Sequence, residues 1–128
     1  MTVAKYLLDT DVIIEWLRRN EAVVAWLKAH DAAGDFLGCT PVSLAELYAG
    51  LRPREEFIID DLLRVLHCVD LDEVVGRKAG HYRQRFRRSH GVEIADALIA
   101  AAAHLHGLTL LSLNQRHYPM RDLKKHRL

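Results

Sequence analysis

Three acidic residues stand in apolar stretches, where a charged side chain is costly unless it is paired or binds a cation. Asp9 lies in "LLDTDVII", Glu46 in "SLAELYAG" and Asp96 in "IADALIAAAA". Two carboxylates about 4 Å apart repel by roughly 4 kcal/mol at an effective dielectric near 20, so converging acids either take up protons or bind a cation. Such an all-oxygen ligand set favours Mg²⁺ or Mn²⁺. The three residues are therefore candidate ligands of a divalent cation.

Each of the three acids also has a purely structural interpretation. Asp9 can cap the first helix, Glu46 has the spacing of a capping box, and Asp96 complements the dipole in the first turn of its helix. Thr40-Pro41 is the stronger helix start, however, and it places Glu46 inside the helix with nothing to cap. Singly, the structural interpretation is at least as good as the functional one, and only the three together favour a cation site.

Histidine and cysteine offer weaker alternatives. His104 and His106 are two residues apart, which does not place them on one helical face, and the sequence contains no HExxH motif. The eight histidines are therefore predicted to be surface or core groups. Cys39 and Cys68 lack CxxC spacing and are predicted to be reduced, buried thiols in a cytosolic protein.

Hydrophobic periodicity predicts strands that alternate with helices. The predicted strands cover residues 3–8, 36–39, 67–71 and 108–113. The predicted helices cover residues 10–19, 21–32, 41–50, 55–65, 72–88 and 92–106. This order predicts one domain over residues 1–128, a three-layer α/β/α fold with a central parallel sheet. In such sheets sites form beyond the carboxyl ends of the strands, where Asp9, Ser112 and Asn114 are expected.

The composition bounds the class of protein. Half of the 128 residues are hydrophobic and 27% are charged, which is typical of an ordinary globular domain. No apolar run approaches the roughly 18 residues of a membrane span, and the first residues do not form a signal peptide. We therefore expect a cytoplasmic protein without membrane association.

The four segments "LLDTDVII", "SLAELYAG", "IADALIAAAA" and "LLSLNQRHYP", in this order and spacing, resemble the PIN-domain ribonucleases. Over the whole chain the resemblance is to VapC-type toxins of bacterial toxin–antitoxin pairs. It implies a PIN-like fold and a Mg²⁺- or Mn²⁺-dependent endoribonuclease that hydrolyses RNA to 5′-phosphate and 3′-hydroxyl ends. Asp9, Glu46 and Asp96 correspond to the acidic metal ligands of the family.

Further site residues follow from the same resemblance. Asn114 takes the position of a fourth acid, and its amide can coordinate a cation or hold a water without adding charge. Ser112 replaces a hydroxyl residue that commonly lies two positions earlier, and Thr10 is expected to orient the site. For Asp11 two interpretations stay open: it supports the neighbouring ligand, or it faces solvent in the first helical turn.

The basic block "RKAGHYRQRFRR" contains six of the 18 basic residues and no acid, although the net charge is only +1. A solvated helix face is the ordinary explanation. An acidic catalytic pocket repels RNA, however, so we expect these cations to hold phosphates. The predicted RNA-binding residues are Arg77, Lys78, Arg83, Arg85, Arg87 and Arg88. The basic tail from about residue 120 either joins this rim or is disordered.

The resemblance also implies partners. These are an RNA substrate (tRNA, rRNA or mRNA), a VapB-type antitoxin that covers the acidic groove, and a second copy of the chain in a homodimer. The apolar residues Trp16, Trp26, Tyr48 and Leu51 either contact such partners or belong to the core.

Three rival functions are open to test. The DxD motif is shared with HAD-type phosphatases, and the layering with response-regulator receivers, where Asp70 would accept the phosphoryl group. Both classes require a lysine or further acids late in the sequence, and the segment after the last predicted strand offers Ser112 and Asn114 instead. The third rival is a non-catalytic PIN-like module that binds RNA or a partner through a weakened metal site.

Overall fold

A central parallel sheet organises the structure, a computed structural model that describes residues 3–128. Met1 and Thr2, which belong to the predicted domain, lie outside the described residues. The strands are β1 (Lys5–Leu8), β2 (Phe36–Cys39), β3 (His67–Cys68), β4 (Thr109–Ser112) and β5 (Lys125–Arg127). All neighbouring strands pair in parallel, in the order β3-β2-β1-β4-β5. The predicted α/β/α class is confirmed, with β1 at the centre.

Helices cover both faces of this sheet. They are α1 (Thr10–Leu17), α2 (Glu21–Ala32), α3 (Pro41–Ala49), α4 (Glu56–Leu63), α5 (Glu73–His90) and α6 (Ile94–Leu105). Leu7 and Leu110 pack against α5 and α6, whereas Leu8 and Leu111 pack with residues of α1 to α4. Consecutive residues of a strand point to opposite faces of the sheet, so the two adjacent leucines of each strand contribute to different hydrophobic cores. None of the helices within residues 3–128 combines the length and apolarity needed to cross a membrane.

Local capping explains where the helices that carry the site begin and end. Thr40 accepts a hydrogen bond from the backbone N–H of Ser43, and Pro41 follows at the first helical position, as predicted for α3. Asp72 caps α5 by accepting from the N–H of Val75 at 3.0 Å. Gly91 ends α5 in the left-handed conformation, at φ +62°, which glycine adopts without steric cost.

The two edge strands differ from prediction. The strand predicted over residues 67–71 ends at Cys68, because the chain then turns to reach the Asp72 cap of α5. The basic tail predicted from about residue 120 is instead part of the sheet, since Lys125–Arg127 form β5 beside β4. Lys125 also donates to the backbone carbonyl of Tyr118 at 2.6 Å. Charged edge strands of this kind resist pairing with other chains, and they carry no hydrophobic alternation to reveal them.

The prediction for the cysteines is half wrong. Cys39 is fully buried in β2, but Cys68 is exposed on the edge strand β3. Both are free thiols, as predicted. A strand at the edge of the sheet has no neighbour to cover its outer side, which explains the exposure of Cys68.

Candidate active site

Asp9 lies at the carboxyl end of the central strand, and 8% of its surface is exposed. Its Oδ1 accepts from the backbone N–H of Thr10 at 2.8 Å. Its Oδ2 accepts from the hydroxyl of Tyr118 at 2.8 Å and lies 3.3 Å from the hydroxyl of Ser112. The pKa of Asp9 is raised to about 7, first by burial and then by the charge of Asp11, against the hydrogen bonds from Tyr118 and Thr10. The carboxylate is thus held in place, with no cationic side chain among residues 3–128 to balance its charge.

Asp11 faces the same side as Asp9 and is half-buried, so the solvent-facing alternative is wrong. Its Oδ2 accepts from the backbone N–H groups of Leu113 and Asn114, both at 3.3 Å. Its Oδ1 is buried and has no hydrogen-bond partner among residues 3–128. Burial raises the pKa of this carboxyl as well. An unpaired buried carboxylate oxygen is costly, and a cation or ordered water would satisfy it.

Glu46 is connected to Asp9 through the intervening Thr10. The hydroxyl of Thr10 donates to Oε1 of Glu46 at 2.8 Å and lies 2.9 Å from the hydroxyl of Ser43. Both Thr10 and Ser43 are buried, whereas Glu46 is exposed at the surface of α3. The expectation that apolar neighbours bury Glu46 is therefore wrong, because Leu47 is buried in this turn of α3 and the adjacent Glu46 is exposed.

Asp96 approaches from the first turn of α6, with 26% of its side chain exposed. Burial raises its pKa, His117 opposes that rise, and the charge of Glu46 adds to it. Nδ1 of His117 lies 4.0 Å from Oδ2 of Asp96. The pKa of Asp9 is in turn raised by the charge of Asp96. The predicted acids from β1, α3 and α6 are thus electrostatically coupled at one edge of the sheet.

The two residues predicted after β4 have different surroundings. Ser112 is buried, and its hydroxyl is shared between Asp9 and the backbone carbonyl of Asn114, at 3.3 and 3.0 Å. Asn114 is exposed, and its Oδ1 accepts from the N–H of Arg116 at 3.1 Å. Its side chain thereby caps a short 3₁₀ turn over Gln115–His117. The amide oxygen is engaged in this turn rather than directed to the carboxylates.

The oxygen atoms of these acids suit a hard divalent cation, although the carboxylates are spread apart. Asp9, Asp11, Glu46 and Asp96 supply only oxygen ligands, as Mg²⁺ and Mn²⁺ prefer. Within the described chain, no lysine or arginine forms a salt bridge with any of these four acids. The one basic side chain at salt-bridge distance within residues 3–128 is His117, which lies 4.0 Å from Asp96. No three His, Cys, Asp or Glu side chains in residues 3–128 are close enough together to hold an ion as they stand. A cation bound at this site would need waters, or a shift of the side chains, to complete its coordination.

The structure divides the six predicted RNA-binding cations into two groups. Three are paired with acids: Arg77 with Glu73, Lys78 with Asp122 at 2.8 Å, and Arg83 with Glu93 at 3.7 Å. The other three are exposed on the C-terminal half of α5, and they are Arg85, Arg87 and Arg88. Pairing cancels much of the charge of the first group, so the second group is better placed to meet phosphates.

A groove of about 740 Å³ lies between α5 and residues 119–122, and we call it the α5 groove. Its basic lining consists of Lys78, His81, Arg85, His90 and Arg121. Its one acidic lining residue, Asp122, accepts from Lys78 and from the hydroxyl of Tyr82. Pro119, which lines the groove, directly follows Tyr118 in the sequence, and Tyr118 contacts Asp9.

Sequence reasoning missed Tyr118, His117 and Ser43. Tyr118 is 1% exposed and contacts the acid that lies 109 positions earlier. It stands within the segment "LLSLNQRHYP", but no spacing rule relates an isolated tyrosine to a distant aspartate. The available signal was an aromatic residue with a polar end in an otherwise polar loop, because such a residue is usually anchored when buried.

Comparisons with known proteins identify the family of the chain. The PIN domain family model matches residues 6–123. Ribonuclease VapC10 of Mycobacterium tuberculosis is 39% identical over 115 residues, which cover 89% of this chain and 86% of that protein. Ribonuclease VapC19 of the same species is 30% identical over 115 residues, covering 89% and 92%.

Solved structures share the fold. The VapBC2 structure from Rickettsia felis, bound to a DNA fragment from their promoter, aligns with a TM-score of 0.84 at 20% identity, covering 96% of this chain and 98% of that one. FitAcB from Neisseria gonorrhoeae aligns with a TM-score of 0.73 at 28% identity, covering 95% and 96%. The chain belongs to the PIN-domain family, as a ribonuclease toxin of the VapC type.

Proposed function

We propose that this protein is a metal-dependent endoribonuclease that hydrolyses RNA phosphodiester bonds at the acidic cluster. The observation that carries the proposal is the state of Asp9, a buried carboxylate coupled to further acids and fixed by hydrogen bonds instead of by a cation. Asp9, Asp96 and Glu46 are the proposed ligands of Mg²⁺ or Mn²⁺, and the unpaired Oδ1 of Asp11 supports a fourth oxygen contact. Such an ion, when bound, lowers the pKa of water and neutralises charge on phosphoryl oxygens.

The side chains of the protein supply orientation and protons. Tyr118 and the N–H of Thr10 fix the two oxygens of Asp9, while the hydroxyl of Thr10 directs Glu46 toward the same opening. His117, exposed beside Asp96, is placed to donate a proton or hydrogen bond to a phosphate oxygen. Ser112 holds the loop in which Asn114 lies, so we assign Asn114 to shaping the entrance through the 3₁₀ turn.

The α5 groove is the proposed path of the RNA backbone. Arg85, His81, His90 and Arg121 line it, while Arg87 and Arg88 extend the positive surface on the same helix. A tRNA, rRNA or mRNA strand laid in this groove would have its phosphates held by cations and would reach the carboxylates past Tyr118. The paired cations Arg77, Lys78 and Arg83 contribute less in this arrangement.

We extend the proposal to protein partners in the cytoplasm. The structural neighbours include VapBC complexes, which supports a VapB-type antitoxin as the partner of this chain. A small groove has an apolar lining of Ile14, Leu17, Leu47 and Leu51, and Arg18, Glu46 and Glu55 also line it. It would accept an apolar segment of such a partner. A homodimer is also proposed, and light scattering of the purified chain would reveal it by a doubled mass.

The decisive experiment combines RNA cleavage with direct measurement of cation binding. Structured RNAs are incubated with the purified chain and Mg²⁺ or Mn²⁺, and the Asp9→Asn and Asp96→Asn variants are compared with wild type. Asp61→Asn, which removes an exposed carboxylate on α4, is the matched control. We expect the control to cleave and to bind Mn²⁺ like wild type, and both site variants to lose cleavage and to bind the ion more weakly in calorimetry.

Two outcomes separate the alternatives. Cleavage that survives both site substitutions, or that continues in EDTA, would contradict the metal-dependent mechanism. RNA binding without cleavage by every variant, wild type included, would favour the non-catalytic module. The engagement of the Asn114 amide in its own turn is the observation that keeps this second function in view.

A further inference from the structure

Cys39 and Cys68 lie directly opposite each other in the sheet. They are partners in the parallel register of β2 and β3, and Val69 donates its backbone N–H to the carbonyl of Cys39 at 2.9 Å. Strand β3 is an edge strand that pairs with β2 alone. The two thiols therefore join the edge of the sheet to the strand that leads into α3.

We propose that Cys39 and Cys68 form a reversible disulfide, which makes the β2–β3 edge a thiol-redox site. Neighbouring strands lie about 4.8 Å apart, and disulfides span Cα separations of roughly 4.4 to 6.8 Å. Two cysteines paired in register on adjacent strands therefore have a Cα separation that a disulfide can span. The Cys68 thiol also lies close enough to contribute, after burial, to the raised pKa of Cys39, which is about 12. Closure thus requires side-chain rotation and little movement of the strands.

Exposure sets the order of the reaction. Cys68 is exposed and Cys39 is buried, so a small-molecule disulfide can reach only Cys68. The Cys68 thiolate attacks one sulfur of that disulfide, forms a mixed disulfide and releases one small thiolate. The sulfur of Cys39, losing its proton, then attacks the sulfur of Cys68 and releases the second small thiolate. Two protein thiols become one disulfide, one small disulfide becomes two small thiols, and the released protons go to the departing thiolates.

The position of the bond gives it a structural effect. The residues that it encloses, 40–67, contain α3 and α4, and Thr40 caps the helix that carries Glu46. Closing this loop restricts the unfolded chain and ties the short strand β3 to its neighbour. The oxidised protein is therefore the more stable form, and the disulfide holds Cys39, the residue directly before the Thr40 cap of α3, against β3.

The test uses the full chain treated with oxidised glutathione and then with dithiothreitol. We expect wild type to lose both free thiols under denaturing titration, to lose two hydrogen atoms in intact mass and to run as a monomer without reductant. Its melting temperature should rise by roughly 5 °C or more, and dithiothreitol should reverse every change. Cys68→Ser should keep one free thiol and show no rise in melting temperature.

A second variant tests whether Cys39 is the thiol that releases glutathione from Cys68. Cys39→Ala should trap glutathione on Cys68 as a stable adduct, because no second thiol is present to release it. A wild-type protein that stops at the same glutathione adduct, with Cys39 still free, would overturn the proposal. So would a covalent dimer through Cys68 as the main product.

Discussion

Tyr118 donates its hydroxyl hydrogen to Oδ2 of Asp9 at 2.8 Å, and 109 positions separate the two residues. The same hydroxyl lowers the pKa of Asp96, so one buried phenol supports two of the proposed ligands. Burial and the adjacent Asp9 raise the pKa of Tyr118 itself, which keeps it protonated and able to donate.

Removing that hydroxyl should weaken both stability and cation binding. For Tyr118→Phe we expect a loss of about 1 to 3 kcal/mol in the free energy of unfolding, because a buried carboxylate loses a donor. The pKa values of Asp9 and Asp96 should rise, so Mn²⁺ binding and cleavage should require a higher pH. Tyr82→Phe is the matched control for the carboxylate pKa values, since it removes a buried hydroxyl that donates to Asp122 at 2.7 Å, away from the acidic cluster. Equal shifts of the pH profile in both variants would contradict this role.

The unfolding free energy of the cation-free protein should fall as pH rises from about 4 to about 7. The pKa of Asp9 is near 3.8 when unfolded and about 7 when folded. Between these values the folded state binds more protons, so its stability is lost as they dissociate. Asp9→Asn should reduce this slope and exceed wild type by about 2 to 4 kcal/mol at pH 8 in EDTA. Urea denaturation from pH 4 to 8 measures both, and parallel curves would refute the assignment.

The Thr10 hydroxyl should affect cleavage because it positions the carboxylate of Glu46. Thr10→Val keeps the shape of the side chain but removes the donor to Oε1 of Glu46 and the partner of Ser43. We expect cleavage to slow about tenfold and the free energy of unfolding to fall by about 1 kcal/mol. Thr109→Val, a half-buried position at the opposite end of β4 from Ser112, is the control and should cleave normally. Similar rates for the two variants would remove Thr10 from the site.

The two groups of cations on α5 should respond differently to charge reversal. Arg85→Glu, in the α5 groove, should weaken RNA binding about tenfold and reduce the salt dependence of log K by about 1. Arg77→Glu, on the same helix but beside Glu73, should change both quantities less. Fluorescence anisotropy with labelled RNA at several salt concentrations checks this. An affinity that salt does not change would contradict the proposed RNA path.

Local sequence signals predicted most of the helices and strands. Features that depend on contacts between distant parts of the chain could not be predicted. The bounds of α2 and β2 agree with prediction at every residue, because Asn20, Gly34 and the Thr40-Pro41 pair mark their limits locally. The sequence also indicated the acids of the proposed site, because a carboxylate in an apolar stretch is conspicuous. Strand β5 and Tyr118 were missed because their roles come from β4 and Asp9, distant partners that no local pattern reveals.

The distance along the chain between Asp9 and its partners also governs when the site can exist. Ser112 and Tyr118 are made more than a hundred residues after Asp9, so the ribosome synthesises all of the intervening residues before either contact can form. Contacts of such high sequence separation also form slowly during folding. The hydrogen bonds that position Asp9 are therefore among the last to form in a nascent chain, and the proposed cleavage of RNA would begin only after they have formed.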